Sequence, residues 1–206
     1  PVIVQQIVSL INCDSVIIEI IEKQSGDVIV EVAHGLWEPL VGSHQAQGTG
    51  LNAIISQTLK PYFTQNLETD ANLTHPEWAR QGIQGCAGIP LIAHEILIGF
   101  IWIGRRNVIS EAEIGLLSAI ADIAANAIHR ATLHEQTQRD AAKLALAYDT
   151  TLEGWVHALE LRDQETEGHT RRVVKMTLEL ARMMGVAEGS LEDVRRGALL
   201  HDIGKM

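Results

Sequence analysis

Two rhythms of apolar and polar positions run along this chain. Val4, Ile7, Val8 and Ile11 recur at three- and four-residue steps, which predicts a short amphipathic helix within residues 1–13. Val16–Ile21 and Val28–Ala33 are β-branched runs, and the polar stretch Glu22–Asp27 between them carries a Ser25-Gly26 turn signal, so the pair reads as a β-hairpin. Gly48, Gly50 and Asn52 lead into a helical stretch, Ala53–Leu59, closed by Pro61. Residues 65–79 are polar and irregular and read as a loop over one face of a sheet. Gly85–Ile92 and Ile96–Arg105 form a second hairpin across Ala93-His94-Glu95. Hairpin, helix, loop, hairpin and helix together predict an α+β domain, an antiparallel sheet flanked by helices, ending near residue 130.

Beyond that point the rhythm becomes purely helical. Ser110 with Glu113 three residues on is a capping-box signature, and no proline follows Glu111. Leu117, Ile120, Ala124, Ala127, Ala131, Ala141, Ala145, Tyr148, Leu152, Trp155 and Leu159 fall on a heptad-like stripe, interrupted at His134 and Gln138. A helix from 111 to about 161 would span on the order of 75 Å. Such a rod cannot bury its stripe alone, so a coiled-coil-like parallel homodimer is expected. The alternative is a break near Gln136–Asp140, with each half packing on its own domain. Residues 163–206 read as helix, turn, helix: Val173, Met176, Leu180 and Met184 supply one apolar stripe, Gly185–Gly189 breaks it, and Leu191, Val194, Ala198 and Leu199 lead to His201-Asp202.

Composition narrows the class. Of 206 residues 46% are hydrophobic and 20% charged, the profile of a soluble globular protein. Runs such as Ile96–Ile103 are too short to cross a bilayer, and two cysteines, Cys13 and Cys86, make no disulfide framework; a cytoplasmic location without membrane attachment is expected. A net charge of −10 argues against a nucleic-acid binder. The chain begins at Pro1 and stops at Met206 directly after His201-Asp202-Ile203-Gly204-Lys205, so it reads as a portion of a longer protein.

Gly88-Ile89-Pro90-Leu91-Ile92 followed by Ile98-Gly99-Phe100-Ile101, then Glu111, Glu113, Leu116-Leu117 and Ala124–Ile128, resembles a GAF domain over residues 1–130. The resemblance implies a small-molecule ligand held between the sheet and its overlying loop. His75 and Trp78, in Thr74-His75-Pro76-Glu77-Trp78, are the candidates for that pocket; a solvated loop histidine is the alternative. The motif of cyclic-nucleotide-binding members is absent, and Cys13 and Cys86 read as small buried hydrophobes, not chromophore attachment points. His34, His44 and His94 stand at strand ends or turns without partners at ligand spacing, and Trp37 and Trp102 fit a pocket or a core equally well. The ligand is left unnamed.

The chemistry concentrates at the other end. His201-Asp202 offers an imidazole nitrogen and a carboxylate oxygen from one helix turn, a mixed set suited to Fe, Mn or a similar divalent transition ion. Lys205 lies three residues beyond Asp202, placed to neutralise a phosphoryl oxygen or protonate a leaving group. His169 follows a tight Glu167-Gly168 turn, with Glu165 four residues before it. Glu160, Arg162, Asp163, Thr166, His169, Arg172 and Val173, followed by Ala198, Leu200 and His201 through Lys205, resemble the opening of an HD-GYP domain, the HD-superfamily branch that hydrolyses cyclic di-GMP. That resemblance implies His169, His201 and Asp202 as metal ligands, Lys205 at the scissile phosphate, and two or three ions in the complete domain. Glu165 is either a ligand of a third ion or a solvated turn residue, and Arg162 with Asp163 a structural ion pair. The family's remaining ligands fall beyond Met206, so the expectation is half a metal site, inactive alone, in a parent that cleaves a cyclic dinucleotide. The organisation expected is a GAF sensor at 1–130, a connecting helix at 131–150 and the HD-GYP portion at 151–206. A non-catalytic sensor or dimerisation module, and an HD phosphohydrolase for another nucleotide, are the competing classes.

Overall fold

The computed structural model describes residues 2–72, 82–163 and 168–205. Helix α1, Val2–Ile11, precedes a hairpin of β1, Ser15–Ile21, and β2, Val28–Gly35. Then come β3, His44–Gln45, helix α2, Gly50–Thr58, and β4, Tyr62–Thr64, before the hairpin of β5, Gly85–Ala93, and β6, Ile96–Arg105. The six strands form one antiparallel sheet in the order β3-β2-β1-β6-β5-β4. The α+β arrangement read from the sequence is the one observed. Two short edge strands, β3 and β4, were not anticipated, because two or three residues are too few to carry a period.

Both faces of the sheet are covered, which is why its central strands read as nearly continuous apolar runs. On one face Val16, Ile18, Ile89, Leu91, Ile101 and Ile103 pack with Ile7 and Ile11 of α1. On the other, Ile17, Phe100 and Trp102 pack with Trp37, Leu51, Ile55 and Leu67. Trp37 and Trp102 are therefore core residues. Both cysteines are buried as expected, and burial pushes the Cys13 thiol up to about 11. Burial raises the Cys86 thiol as well. A polar chain crosses the second core: Trp102 Nε1 donates to Asn52 Oδ1 at 2.9 Å, and Asn52 Nδ2 donates to Glu19 Oε2 at 2.7 Å. His94 and Glu95 form the two-residue turn between β5 and β6, both in the left-handed region with φ of 49° and 65°. Such turns match the right-handed twist of the flanking strands.

Helix α3, Glu111–Asp163, is one helix of 53 residues, so the alternative of a break near 136–140 is not observed. Its start is the capping box. The Ser110 N–H donates to Glu113 Oε2 at 2.8 Å, and the Glu113 N–H donates back to Ser110 Oγ at 3.3 Å. Arg105, at the end of β6, grips the same carboxylate at 2.7 Å and 2.9 Å and also donates to the carbonyls of Ile11 and Val108. The Arg105 guanidinium, followed by the Ser110 donors, holds the Glu113 carboxyl down to about 2. Because the folded state favours the charged form, this stabilisation is complete above the ordinary value of 4.5 and fades as pH falls toward 2. Glu113→Gln is expected to cost about 1 kcal/mol near neutral pH, after solvent screening at this partly exposed site. The gap in melting temperature between the two proteins should shrink steadily as pH falls from 4.5 toward 2; a gap that stays constant across that range would contradict the assignment.

The chain divides into two compact units, Pro1–Leu133 and His134–Met206. In the first, α3 buries Ile114, Leu117, Ala121, Ala124 and Ala125 against the sheet. Residues 130–148 are exposed throughout, including Ala131, Ala141, Ala145 and Tyr148 of the expected stripe. In the second unit α3 buries Leu152 and Val156, while Trp155 is 52% exposed. Helix α4, His169–Met183, and helix α5, Leu191–Leu199, complete it. The apolar stripe expected on α4 is not its packed face: Met176, Leu180 and Met184 are exposed, and Thr170 and Ala181 are the buried positions. Those two lie eleven residues apart, three helical turns, and so share a face. Gly185, at φ 80°, ends α4, with the Val186 N–H donating to the Ala181 carbonyl and the Gly185 N–H to the Arg182 carbonyl.

Candidate metal centre

Helix α5 delivers the His-Asp pair, but the pair stands just past its end. Leu200 caps α5, His201 and Asp202 form the following turn, and Ile203–Lys205 is a short 3-10 run. The expectation that both ligands share an α-helical turn is thus corrected. The Leu200 N–H still reaches the Arg196 carbonyl at 3.2 Å, and the Ile203 N–H reaches the Leu200 carbonyl at 3.0 Å, so the turn is pinned on both sides.

His169 arrives from a different element. It is the first residue of α4, entered through Gly168 in the left-handed region, φ 79°. The glycine absorbs the sharp change of direction that points the chain into the helix. The His169 and His201 rings lie 5.7 Å apart between centroids, tilted by 52°. His201 Nε2 is 3.0 Å from Asp202 Oδ2, and one ligand atom from each of the three residues falls within 4.8 Å of the others. His201 Nδ1 lies 2.8 Å from the Ala198 carbonyl. That carbonyl can only accept, so Nδ1 carries a proton, and Nε2 is the ring nitrogen that faces Asp202. A backbone or carboxylate partner behind a histidine is the usual outer support of a metal ligand.

Two imidazoles and one carboxylate form a donor set for a borderline or hard divalent transition ion. The Asp202 and His201 side chains are 24% and 30% exposed, so the donors are open to an ion from solvent. The residues fit such an ion. Lys205 belongs to the 3-10 run, but its side chain and those of Arg162 and Asp163 lie outside the described part of the structure, as do Glu165, His75 and Trp78 altogether.

What the sequence did not reveal is the support under α5. Asp149, on α3, takes Arg195 Nη2 at 2.8 Å and Arg196 Nε at 3.0 Å. Glu192 takes Arg195 at 2.7 Å, and the Arg196 guanidinium sits 5.1 Å over the Tyr148 ring. The Arg196 hydrogen bond, then the two positive charges, lower the Asp149 carboxyl below its ordinary value. Adjacent arginines 46 and 47 residues from a carboxylate give no sequence signal; only the packing of α5 on α3 joins them. Asp149→Asn keeps the shape and removes the charge. It is expected to lower the thermal stability of residues 134–206 and to weaken metal binding a few-fold through displacement of His201 and Asp202, with Asp149→Glu restoring most of both. Equal metal affinity in Asp149→Asn would show that the cluster does not position the site.

Comparison with known proteins follows this division. The GAF domain family matches residues 2–129, and the HD domain family matches residues 166–206. Among solved structures, the GAF domain of a phosphoenolpyruvate-protein phosphotransferase from Coxiella burnetii is similar over 65% of this chain and 82% of its own, at 21% identity and a TM-score of 0.60. The corresponding domain from Acinetobacter is similar over 66% and 82%, at 15% identity and a TM-score of 0.56. A GAF domain/HD domain protein from Geobacter sulfurreducens is similar over 64% and 90%, at 14% identity and a TM-score of 0.56. Identities this low speak to fold alone. No curated protein sequence matches the chain. Among the described residues no helix is long and apolar enough to cross a membrane. A match over well more than half of the chain, on an antiparallel sheet flanked by helices, means that this protein belongs to the GAF domain family, with an HD domain segment following its long helix.

Proposed function

We propose that this chain is the sensor and the leading half of the catalytic part of a metal-dependent phosphodiesterase of the HD-GYP type, acting on cyclic di-GMP. The single observation that carries the reading is the convergence of His169, His201 and Asp202 from two separate elements to within 4.8 Å. These three would hold Fe or Mn, in a centre of two or three ions in the complete domain, and Glu165 is the added ligand if there is a third. When bound, such ions supply a hydroxide nucleophile at neutral pH and neutralise phosphate charge. The chain's own residues do the rest. The Ala198 carbonyl holds His201 in one tautomer, Asp202 contributes the negative charge that favours a dication, and Lys205 binds a phosphoryl oxygen of the substrate.

In this reading residues 1–130 are the sensor, with His75 and Trp78 at a small-molecule pocket, 131–150 the connector and 151–206 the catalytic portion. The exposed stretch 130–148 favours a homodimer through α3, because Leu133, Leu144 and Leu146 stand in solvent there in a single copy. A second reading, a non-catalytic dimerisation module, draws on the same exposed leucines. The deciding experiment is metal analysis and cyclic di-GMP turnover of the intact protein, purified without chelator. Bound Fe or Mn with turnover supports the phosphodiesterase, turnover of another nucleotide alone moves the assignment within HD phosphohydrolases, and neither metal nor turnover leaves the module. Residues 1–206 alone are expected to show no turnover.

A further inference from the structure

At the end of the sheet where β1 finishes and β6 begins, a cleft of about 590 Å³ opens against α3. Its walls are aliphatic: Ile20, Ile21, Ile96, Leu97, Ile98 and Ile128. None of these six is fully buried, and Ile96 is 57% exposed. Apolar surface left in water at roughly 25 cal/mol per Å² makes the cleft a favourable seat for an apolar body. Its volume falls in the range of small-molecule sites. Among the described residues, none of the 65–79 loop lines it.

The rim is polar and carries both signs of charge. Lys23, His129, Thr132 and Glu22 stand there. Glu22 is engaged by the turn, its carboxylate accepting the Ser25 hydroxyl at 2.6 Å, and Thr132 donates to the Ile128 carbonyl at 3.0 Å. Lys23 has no carboxylate partner among the described residues. An ammonium and an imidazole at the mouth of an aliphatic cleft complement an anionic head on an aliphatic tail. Apart from the His129 imidazole the cleft has no aromatic side chain, which removes the stacking platform a planar ligand would use.

We propose that this cleft is a binding site for an aliphatic monocarboxylate, with the tail among Ile20, Ile98 and Ile128 and the carboxylate at Lys23 and His129. The His129 ring also lies 5.4 Å from the ring of His94, in the β5–β6 turn. An occupant thus touches the hairpin end and α3 together and ties their spacing to ligand.

The test uses decanoate and decan-1-ol, equal in tail and different in charge, titrated calorimetrically into the whole chain. Decanoate should bind at one saturable site, more tightly than the alcohol. Lys23→Glu, a surface change, should weaken decanoate about fivefold or more and leave decanol unaltered. Ile98→Trp should fill the cleft and remove both; circular dichroism checks its fold, and the Lys23 variant carries the decision if it misfolds. Met176→Lys, on the exposed face of α4, should change neither. The proposal is overturned by absence of saturable decanoate binding, by equal losses for acid and alcohol in Lys23→Glu, or by sensitivity to Met176→Lys. Binding that competes with self-association would place a second copy in the cleft and would overturn it equally.

Discussion

Mn²⁺ titrated into the His201→Ala variant is expected to bind more weakly than to the unaltered chain by well over the roughly 10–100-fold that loss of an outer-shell partner costs. The reason is geometric. His201 holds the middle of the donor set, with Nε2 3.0 Å from the Asp202 carboxylate and its ring 5.7 Å from that of His169. Removing it leaves one imidazole and one carboxylate from separate elements, a pair that cannot satisfy an ion preferring four to six donors. Asp202→Asn is the companion variant, preserving shape while removing the charge. His201 follows the last long helix and is partly exposed, so its loss should leave helix content unchanged by circular dichroism. Retention of wild-type affinity by both variants would sink the metal assignment, and with it the phosphodiesterase.

Gly88→Val should destabilise the sensor unit by about 3 kcal/mol or more, a drop in melting temperature of roughly 6–12 °C. Gly88 lies opposite Trp102 on the neighbouring strand, and a Cβ added there would run into the six-membered ring of that tryptophan. The ring cannot simply swing away. Its Nε1 is committed to Asn52, which in turn serves Glu19 and Gln45 at 2.7 Å and 3.2 Å. Moving the indole would orphan a buried donor and break that chain, and the unsatisfied group alone costs about 1–3 kcal/mol. A melting temperature within about 2 °C of the parent would mean that the second core repacks more freely than this geometry allows.

Much of this protein was readable before any fold was seen, though unevenly. The hairpins were legible because two long β-branched runs each bracket a polar turn, and the start of α3 because Ser110 and Glu113 sit at capping-box spacing. The two edge strands were not, since His44–Gln45 and Tyr62–Thr64 owe their conformation to a neighbour's hydrogen bonds, not to their own pattern. The stripe on α4 misled for a related reason: Met176, Leu180 and Met184 are apolar yet exposed, while the helix buries Thr170 and Ala181, about a quarter turn round the helix. Hydrophobic spacing states that a helix has a face; it does not say which neighbour is present to cover it.

The site divides in the same way. The kinds of donor at 169, 201 and 202 and their membership of an HD domain segment were plain in the sequence, because local motifs record chemistry at fixed spacing. Their convergence was a matter of tertiary structure alone, since His169 and His201 are separated by a helix, a turn and a second helix. Asp149 under Arg195 and Arg196, the cleft between β1, β6 and α3, and the seating of His201 past the end of α5 belong to that second category. Each depends on where a helix packs, and packing is decided by side chains distant in sequence acting together.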